Sequence, residues 1–416
     1  MPARNGVIII GGGPSGLFCA LQVAGTGREV LVLEKMPSCG RKLSITGSGQ
    51  CNLTNNGDIR AFFSHYGDHG KFLRPALLQC PNTRLIRFFE DQGLQVVADD
   101  KGKVFPATRK ATDLMSVLLT ICRVRGVTIR CKEALQDVVA REGRFLVSTA
   151  IGEYFAEHLV VATGGMSYPA TGSSGDGYSF AIKMGHTVTP LAPALTPVVI
   201  EDHPLGDLSG ISFESVIVSL VRVGKTIRVI RGDLLLTHTG LSGPGVLDLS
   251  RHVVPGDFLK VSFVPDLDKV RLSEKLLQQT STQGGSLVKR FLSDLPLPER
   301  FVRRILEVTG IPPALPFAQL SKTARSTLIT NITAFPFRVA ALGGFEIAMV
   351  TRGGVSLAEV NPLTMESRLV PGLFWIGEVL DIDGDTGGYN LQAAFSTATA
   401  AASGICSSSH CPDLLT

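Results

Sequence analysis

The sequence predicts an α/β protein built on a parallel sheet, and three stretches carry that prediction. Residues 6–34 read GVIIIGGGPSGLFCALQVAGTGREVLVLE: an apolar run, a glycine-rich turn, a helix-like run and a second apolar run closing on an acid. Residues 159–165 (LVVATGG) and 373–392 (LFWIGEVLDIDGDTGGYNLQ) each bring a further apolar strand into a bare turn.

In the first stretch the β-branched run Val7 to Ile10 reads as a buried parallel strand. Gly11, Gly13 and Gly16 then spell G-x-G-x-x-G, and Leu17 to Ala24 continues as a helix. Gly11 permits a tight turn, Gly13 admits a pyrophosphate to the backbone, and Gly16 lets the helix pack on the strand. The helix start behind Pro14, from Ser15 onward, offers unpaired N–H groups and a partial positive charge to phosphates. Val30 to Leu33 is the second strand, and Glu34 at its end can accept hydrogen bonds from a ribose diol. A lone glycine motif is a weak signal, since a glycine-rich turn needs no ligand. Here strand, turn, helix, strand and acid fall in order at the spacing of a dinucleotide site, which defines a Rossmann-like unit. The motif by itself leaves FAD and NAD both open.

The later stretches favour FAD. In flavoproteins with two dinucleotide-binding motifs, an ATG turn such as Ala162, Thr163 and Gly164 returns the chain beside the first nucleotide site; an ordinary strand exit is the plainer alternative. Near the C-terminus the strand Phe374 to Ile376 meets Gly377 and Glu378, and GGYN opens an alanine-rich helix from Leu391 to about Ser403. Glu378 can bind ribitol hydroxyls there, and the helix N-terminus can face the flavin edge that gains negative charge on reduction. Asp381, Asp383 and Asp385 invite a calcium reading, but the twelve-residue loop closing in Glu is missing, so no metal is expected.

Composition sets the outer bounds. A chain of 416 residues with 44% hydrophobic and 18% charged residues can bury a large core, and its length suggests two or three domains. The net charge of +4 names no partner. The eight cysteines, Cys411 the last of them, form no C-x-x-C pair and suggest a reduced, cytoplasmic protein. Arg4 before VIII mimics a charged leader, but GGG interrupts the apolar patch, so no signal peptide is expected. No run approaches 18 apolar residues, and no membrane span is expected.

With these motifs in place, the sequence resembles the BaiN/RdsA-type family of NAD(P)/FAD-dependent oxidoreductases, the YhiN-like flavoproteins, which also contain aminoacetone oxidases. The stretches carrying the resemblance are GGGPSG, GRKLSITGSGQCNLTNN, ATGGMSYPATGSSGDGY, LLLTHTGLSGPGVLDLS and EVNPLTMESRLVPGLFWIGEVLDIDGDTGGYNLQAAF, in order along nearly the whole chain. The resemblance implies an FAD-binding domain in two parts, 1–192 and 346–416, interrupted by an inserted domain at 193–345. Within the insertion it implies a β-barrel at about 193–265 and 328–345, and a helical piece at about 266–327. The residue pattern agrees: VIVSLVRV and KTIRVI read as strands, and RLSEKLLQQ, SLVKRFLSDL and ERFVRRILEV read as helices. To the cofactor contacts above, the resemblance adds Lys35, Ser48, Gly49, Asn52, Leu135, Asp383, Gly388, Tyr389, Asn390 and Leu391, while Arg41 and Lys42 can neutralise phosphate or flavin charge or simply stand as solvated surface. No second complete G-x-G-x-x-G exists, so NAD(P)H is expected to visit the flavin transiently as electron donor. The family usually writes G-G-G-R-C-N where this chain has Ser48, Gly49, Gln50, Cys51 and Asn52, so a fixed positive charge is lost at Gln50.

The flavin would carry the hydride chemistry, leaving proton management to the protein. Cys51 is the catalytic candidate: a thiol with lowered pKa near Lys42 or a helix N-terminus can protonate the carbon opposite the one receiving hydride. The plainer alternative is a small thiol packing on the ring. Tyr168 can orient a substrate or simply close a turn, and His238 can face the flavin or sit in a satisfied loop. Residues 266–345 hold 11 Lys plus Arg against 6 Asp plus Glu, and Arg300, Arg303 and Arg304 share one helix face. That face is either a phosphate-binding stripe or a solvated surface. Three functions follow: an NAD(P)H-dependent reductase of an activated C=C bond, with uridine in ribosomal RNA favoured by the basic insertion; a small-amine oxidase using oxygen; and a non-catalytic flavin-containing RNA-binding module.

Overall fold

Parallel strands buried on both faces organise the first of two compact units, formed by Met1–Pro193 with Ala348–Thr416; the second is Ala194–Ile347. The structure, a computed structural model, describes residues 3–141 and 143–407; the Ser48 side chain and Cys411 lie outside the described residues.

In the first unit, the strand Ala3–Ile10 pairs in parallel with Val30–Glu34 on one side and with Glu153–Val161 on the other. Val30–Glu34 pairs onward with Thr128–Cys131. The short strand Leu373–Trp375 joins the upper end of Glu153–Val161, bringing a C-terminal segment into the same parallel sheet. Val7, Ile8 and Ile9 are fully buried, as strands covered on both faces by other elements must be. The antiparallel strands Arg144–Thr149 and Leu135–Arg141 extend the sheet from the lower half of Glu153–Val161.

The first helix, Pro14–Ala24, packs against the last, Tyr389–Cys406. Both are buried almost all round, and their polar side chains are used internally. Gln22 Nε2 donates to the Phe18 carbonyl at 2.9 Å and to Thr399 Oγ1 at 3.3 Å. Phe18 lies edge-on to Phe88 and Phe395, with ring centroids 5.1 and 4.9 Å away. The last helix opens at Tyr389, two residues before the expected Leu391, because Gly388 takes φ +95° and lets the chain turn straight into it.

The second unit is a closed six-stranded barrel. Its order is Val198–Ile200, Gly240–Ser242, Lys225–Leu236, Ser212–Arg222, Phe258–Ser262 and Phe335–Leu342, which closes back on Val198–Ile200. Four helices intervene between the last two strands, among them Glu299–Thr309 and Lys322–Thr333. The helical stretch therefore runs on to Thr333, past the expected 327. Phe301 from Glu299–Thr309 meets Phe213 and Phe263 at 4.9 and 4.4 Å, joining helix and barrel in one core. The predicted fold class is borne out: a Rossmann-like α/β unit interrupted by a barrel with a helical piece. Among the described residues no helix is long and apolar enough to cross a membrane.

Candidate functional site

The G-x-G-x-x-G turn is closed on two sides and open on the third. Gly11 N donates to the Leu33 carbonyl and Ala162 N to the Ile10 carbonyl, both at 2.8 Å. A Cβ on Gly11 would overlap the Ala162 carbonyl, and one on Gly16 would overlap the Gly11 carbonyl oxygen. A Cβ on Gly13 would meet nothing within 4 Å. Gly13 N-caps the first helix, and no side chain caps the exposed N–H groups behind it. Glu34 is held in place by Gly12 N at 2.8 Å on one carboxylate oxygen and Met36 N at 2.7 Å on the other.

Around this turn runs a cleft open to solvent at its mouth. Its walls bring together Gly11, Gly13, Pro14, Ser15, Glu34, Lys35, Arg41, Lys42 and Leu135 with Ala162, Thr163, Gly164, Gly377, Glu378, Asn390 and Leu391. Three glycine turns far apart in sequence thus bound one cavity. Gly16 is not on the wall because it packs beneath Gly11.

The charges on the wall are arranged in pairs. Lys42 Nζ lies 2.6 and 2.9 Å from the two oxygens of Glu378, and Thr351 N adds a third donor at 2.9 Å. Lys35 pairs with Asp176 at 2.5 Å and with the Ser174 hydroxyl. Arg41 stands exposed on the same wall. Thr163 lines the cleft, but its Oγ1 is buried against Gly177 and has no hydrogen-bond partner.

The GSGQC segment begins within a 3-10 turn, Leu43–Gly49, whose Leu43 and Thr46 reach the cleft. Gly49, Cys51, Asn52, Asp383, Gly388 and Tyr389 are not on the cleft wall. Asn52 joins two motifs instead: with its amide oriented to satisfy both neighbours, it donates to the Thr54 carbonyl at 2.9 Å and accepts from Gly388 N at 3.0 Å. Tyr389 is buried, stacked on His65 at 3.9 Å. Asn390 closes the aspartate loop, accepting from Gly384 N at 2.8 Å. Asp383 is buried.

Cys51 reverses one expectation. Its side chain is fully buried at φ +59°, and burial pushes the thiol up to about 12, against the lowering hydrogen bond of the Thr46 hydroxyl. Desolvation penalises the thiolate more than the nearby donor favours it. Tyr168 takes φ +57° and opens the short turn Pro169–Thr171, the turn-closing role. In the second unit His238 is exposed on the loop after Lys225–Leu236. Two of the three arginines are engaged there: Arg300 donates to the Asp207 carbonyl and Arg304 to the Pro204 carbonyl, each at 3.0 Å. Arg303 is exposed.

Sequence reasoning missed Thr351, Asp176 and Thr397. Thr351 Oγ1 accepts Met166 N at 2.8 Å and Ser167 N at 3.1 Å, fastening the ATGGMS turn. Thr397 Oγ1 accepts Gly377 N at 3.0 Å. Asp176 opens the helix Asp176–Lys183 in the family-like stretch SSGDGY, which is the signal that could have found it. Thr351 and Thr397 lie in unremarkable contexts and carry no such signal.

Fold and cleft together define a flavoprotein oxidoreductase of the Rossmann class. The chain belongs to the HI0933-like family: the HI0933-like protein Rossmann domain matches residues 5–404, which bears out the resemblance read from the motifs. It is 33% identical over 402 residues, 96% of this chain and 97% of its relative, to a ribosomal RNA dihydrouridine synthase of Escherichia coli (strain K12). It is 29% identical over 401 residues, covering 94% of this chain and 97% of the relative, to a 3-dehydro-bile acid delta(4,6)-reductase of Clostridium scindens. In fold it is similar to 3-ketosteroid delta1-dehydrogenase from Sterolibacterium denitrificans, with TM-score 0.54 and 12% identity over 98% of this chain and 100% of that one.

Proposed function

We propose that this chain is an FAD-dependent reductase of an activated C=C bond that takes its electrons from NAD(P)H, with a uridine of ribosomal RNA, reduced to dihydrouridine, as the leading substrate. The observation that carries the cofactor is the cleft bounded by three glycine turns and open at Gly13. The kinship with two named reductases, one acting on ribosomal RNA and one on a bile acid, supports the reaction class.

When bound, FAD supplies hydride transfer. The chain's own residues divide the remaining work. Gly13 and the first-turn N–H groups of Pro14–Ala24 would take the pyrophosphate, and Glu34, already oriented by Gly12 and Met36, would accept from the ribose hydroxyls. Lys42 and Glu378, a neutralised pair on the wall, would serve the ribitol hydroxyls. The N-terminal turn of Tyr389–Cys406, with Asn390 and Leu391 on the wall, favours negative charge at the edge it faces. Leu33 and Phe180 give the wall apolar surface. Cys51, protonated at neutral pH, is the proton donor to test: normal turnover by Cys51→Ala removes it from that role. A uracil must leave its stack to be reduced, at a cost of a few kcal/mol.

Anaerobic titration of the flavin-loaded protein is the deciding experiment. NADH or NADPH should bleach the flavin, and a uridine-containing RNA should then restore its colour and gain dihydrouridine. If only a small amine bleaches it and oxygen alone restores it, the amine-oxidase reading replaces this one. If nothing reduces it while RNA binds, the chain is a flavin-containing RNA-binding module.

A further inference from the structure

We infer that Arg109 forms an anion-binding subsite beside the GSGQC turn, placed to hold an oxyanion of the substrate and to supply the positive charge that Gln50 lacks. The subsite rests on the reductase reading for its substrate, and the oxyanion it commits to is an RNA phosphate beside the reacting base.

Arg109 ends the turn after the strand Lys103–Pro106, with its N–H on the Pro106 carbonyl at 2.8 Å. Its backbone sits at φ +56°, a conformation that suits Asn or Gly and that other residues hold only where the surroundings demand it. The side chain runs back over the Phe105 ring, its guanidinium carbon 4.0 Å from the centroid. From there Nη1 donates to Gln50 Oε1 at 3.4 Å. Gln50 N in turn donates to the carbonyls of Gly47 and Thr46, and Thr46 is on the cleft wall. Gln50 thus links the guanidinium to the turn whose Thr46 lines the cleft.

It is also exposed and not neutralised. Among the described residues no carboxylate pairs with it; the nearby acid, Asp113, takes the hydroxyls of Thr108 at 2.5 Å and Thr112 at 3.4 Å instead. A guanidinium carries five donors, and one is engaged with Gln50. A ring-stacked, pre-ordered fork with spare donors suits bidentate recognition of a phosphate or carboxylate.

The test uses the flavin-loaded protein and a fluorescent single-stranded RNA oligonucleotide containing uridine, with binding followed by anisotropy over a range of salt. Arg109→Asn removes the charge while suiting the positive φ. It should weaken binding about tenfold and lower the slope of log affinity against log salt by about one, with the flavin spectrum and melting temperature unchanged. Adding Gln50→Arg to that variant should restore the affinity. Arg109→Asn binding RNA with the parent's affinity and slope overturns the subsite. If the parent protein binds no RNA, the RNA reading fails on its own account, and an unsaturated carboxylic acid serves as the second probe. Weaker binding of that acid by Arg109→Asn then upholds the oxyanion subsite, and equal binding sinks it.

Discussion

Gly13 and Gly16 stand in one motif and are bare for opposite reasons. A side chain at Gly16 collides with the Gly11 carbonyl, whereas one at Gly13 projects into the open cleft. Gly16→Val should therefore destabilise the first unit by about 1–3 kcal/mol, visible as a lower melting temperature. Gly13→Val should leave folding largely intact and lower flavin retention, read as the ratio of flavin to protein absorbance. Lys42 and Glu378 make a second pair of predictions. Lys42→Met leaves a half-buried carboxylate with only the Thr351 amide, at a cost of about 2 kcal/mol, and Lys42→Met with Glu378→Gln should recover part of it. Cys51, with burial pushing its thiol up to about 12, should resist alkylation at pH 8 in the folded protein and react once unfolded.

At the scale of elements, a buried polar hub ties three segments of the first unit together. His186, just after the helix Asp176–Lys183, places Nδ1 3.1 Å from Glu359 and Nε2 2.8 Å from the Ser367 hydroxyl. Trp375 Nε1, on the strand Leu373–Trp375, donates to the same Nε2 at 3.3 Å. A neutral ring with its proton on Nδ1 satisfies all three contacts. Burial holds the His186 pKa below the usual histidine range despite Glu359. The unfolded chain takes up a proton near pH 6.5 that the folded chain refuses. The contribution to stability is thus complete above about pH 6.5 and is lost as pH falls toward the lower folded value. Urea midpoints should decline between pH 7 and pH 5, and His186→Gln should flatten part of that decline. A residual slope is expected from His158, whose pKa burial also lowers.

For the whole molecule, the two units have separate hydrophobic cores, one centred on the sheet and its helices, the other on the barrel. Calorimetric unfolding should accordingly depart from a single two-state transition, and a bound flavin should raise the transition of the first unit. The arginine stripe divides along the same lines. Arg300 and Arg304 fasten the helix Glu299–Thr309 to residues 204–207, so reversing their charge should lower the melting of the second unit. Arg303 is exposed, and Arg303→Glu is the cleaner probe of RNA contact: weaker binding at low salt with unchanged melting is the expected result, and unchanged binding removes the stripe.

What was legible in the sequence depended on how local its cause is. The run from Val7 to Glu34 announced strand, turn, helix and acid because those steric and hydrogen-bonding demands lie within one βαβ unit. ATGG and GGYN were legible for the same reason, and the barrel and helices of the insertion through their alternating and helical patterns. The sequence by itself determined the fold class and most of the cleft wall. The tertiary structure decided which charges cancel, since Lys42 meets Glu378 across 336 positions of chain. It also decided that Cys51 is buried, that Thr351 and not a glycine fastens the ATGG turn, and that Arg109 stands beside Gln50. Burial, pairing and desolvation are set by neighbours brought from far along the chain, and no short stretch of residues contains them.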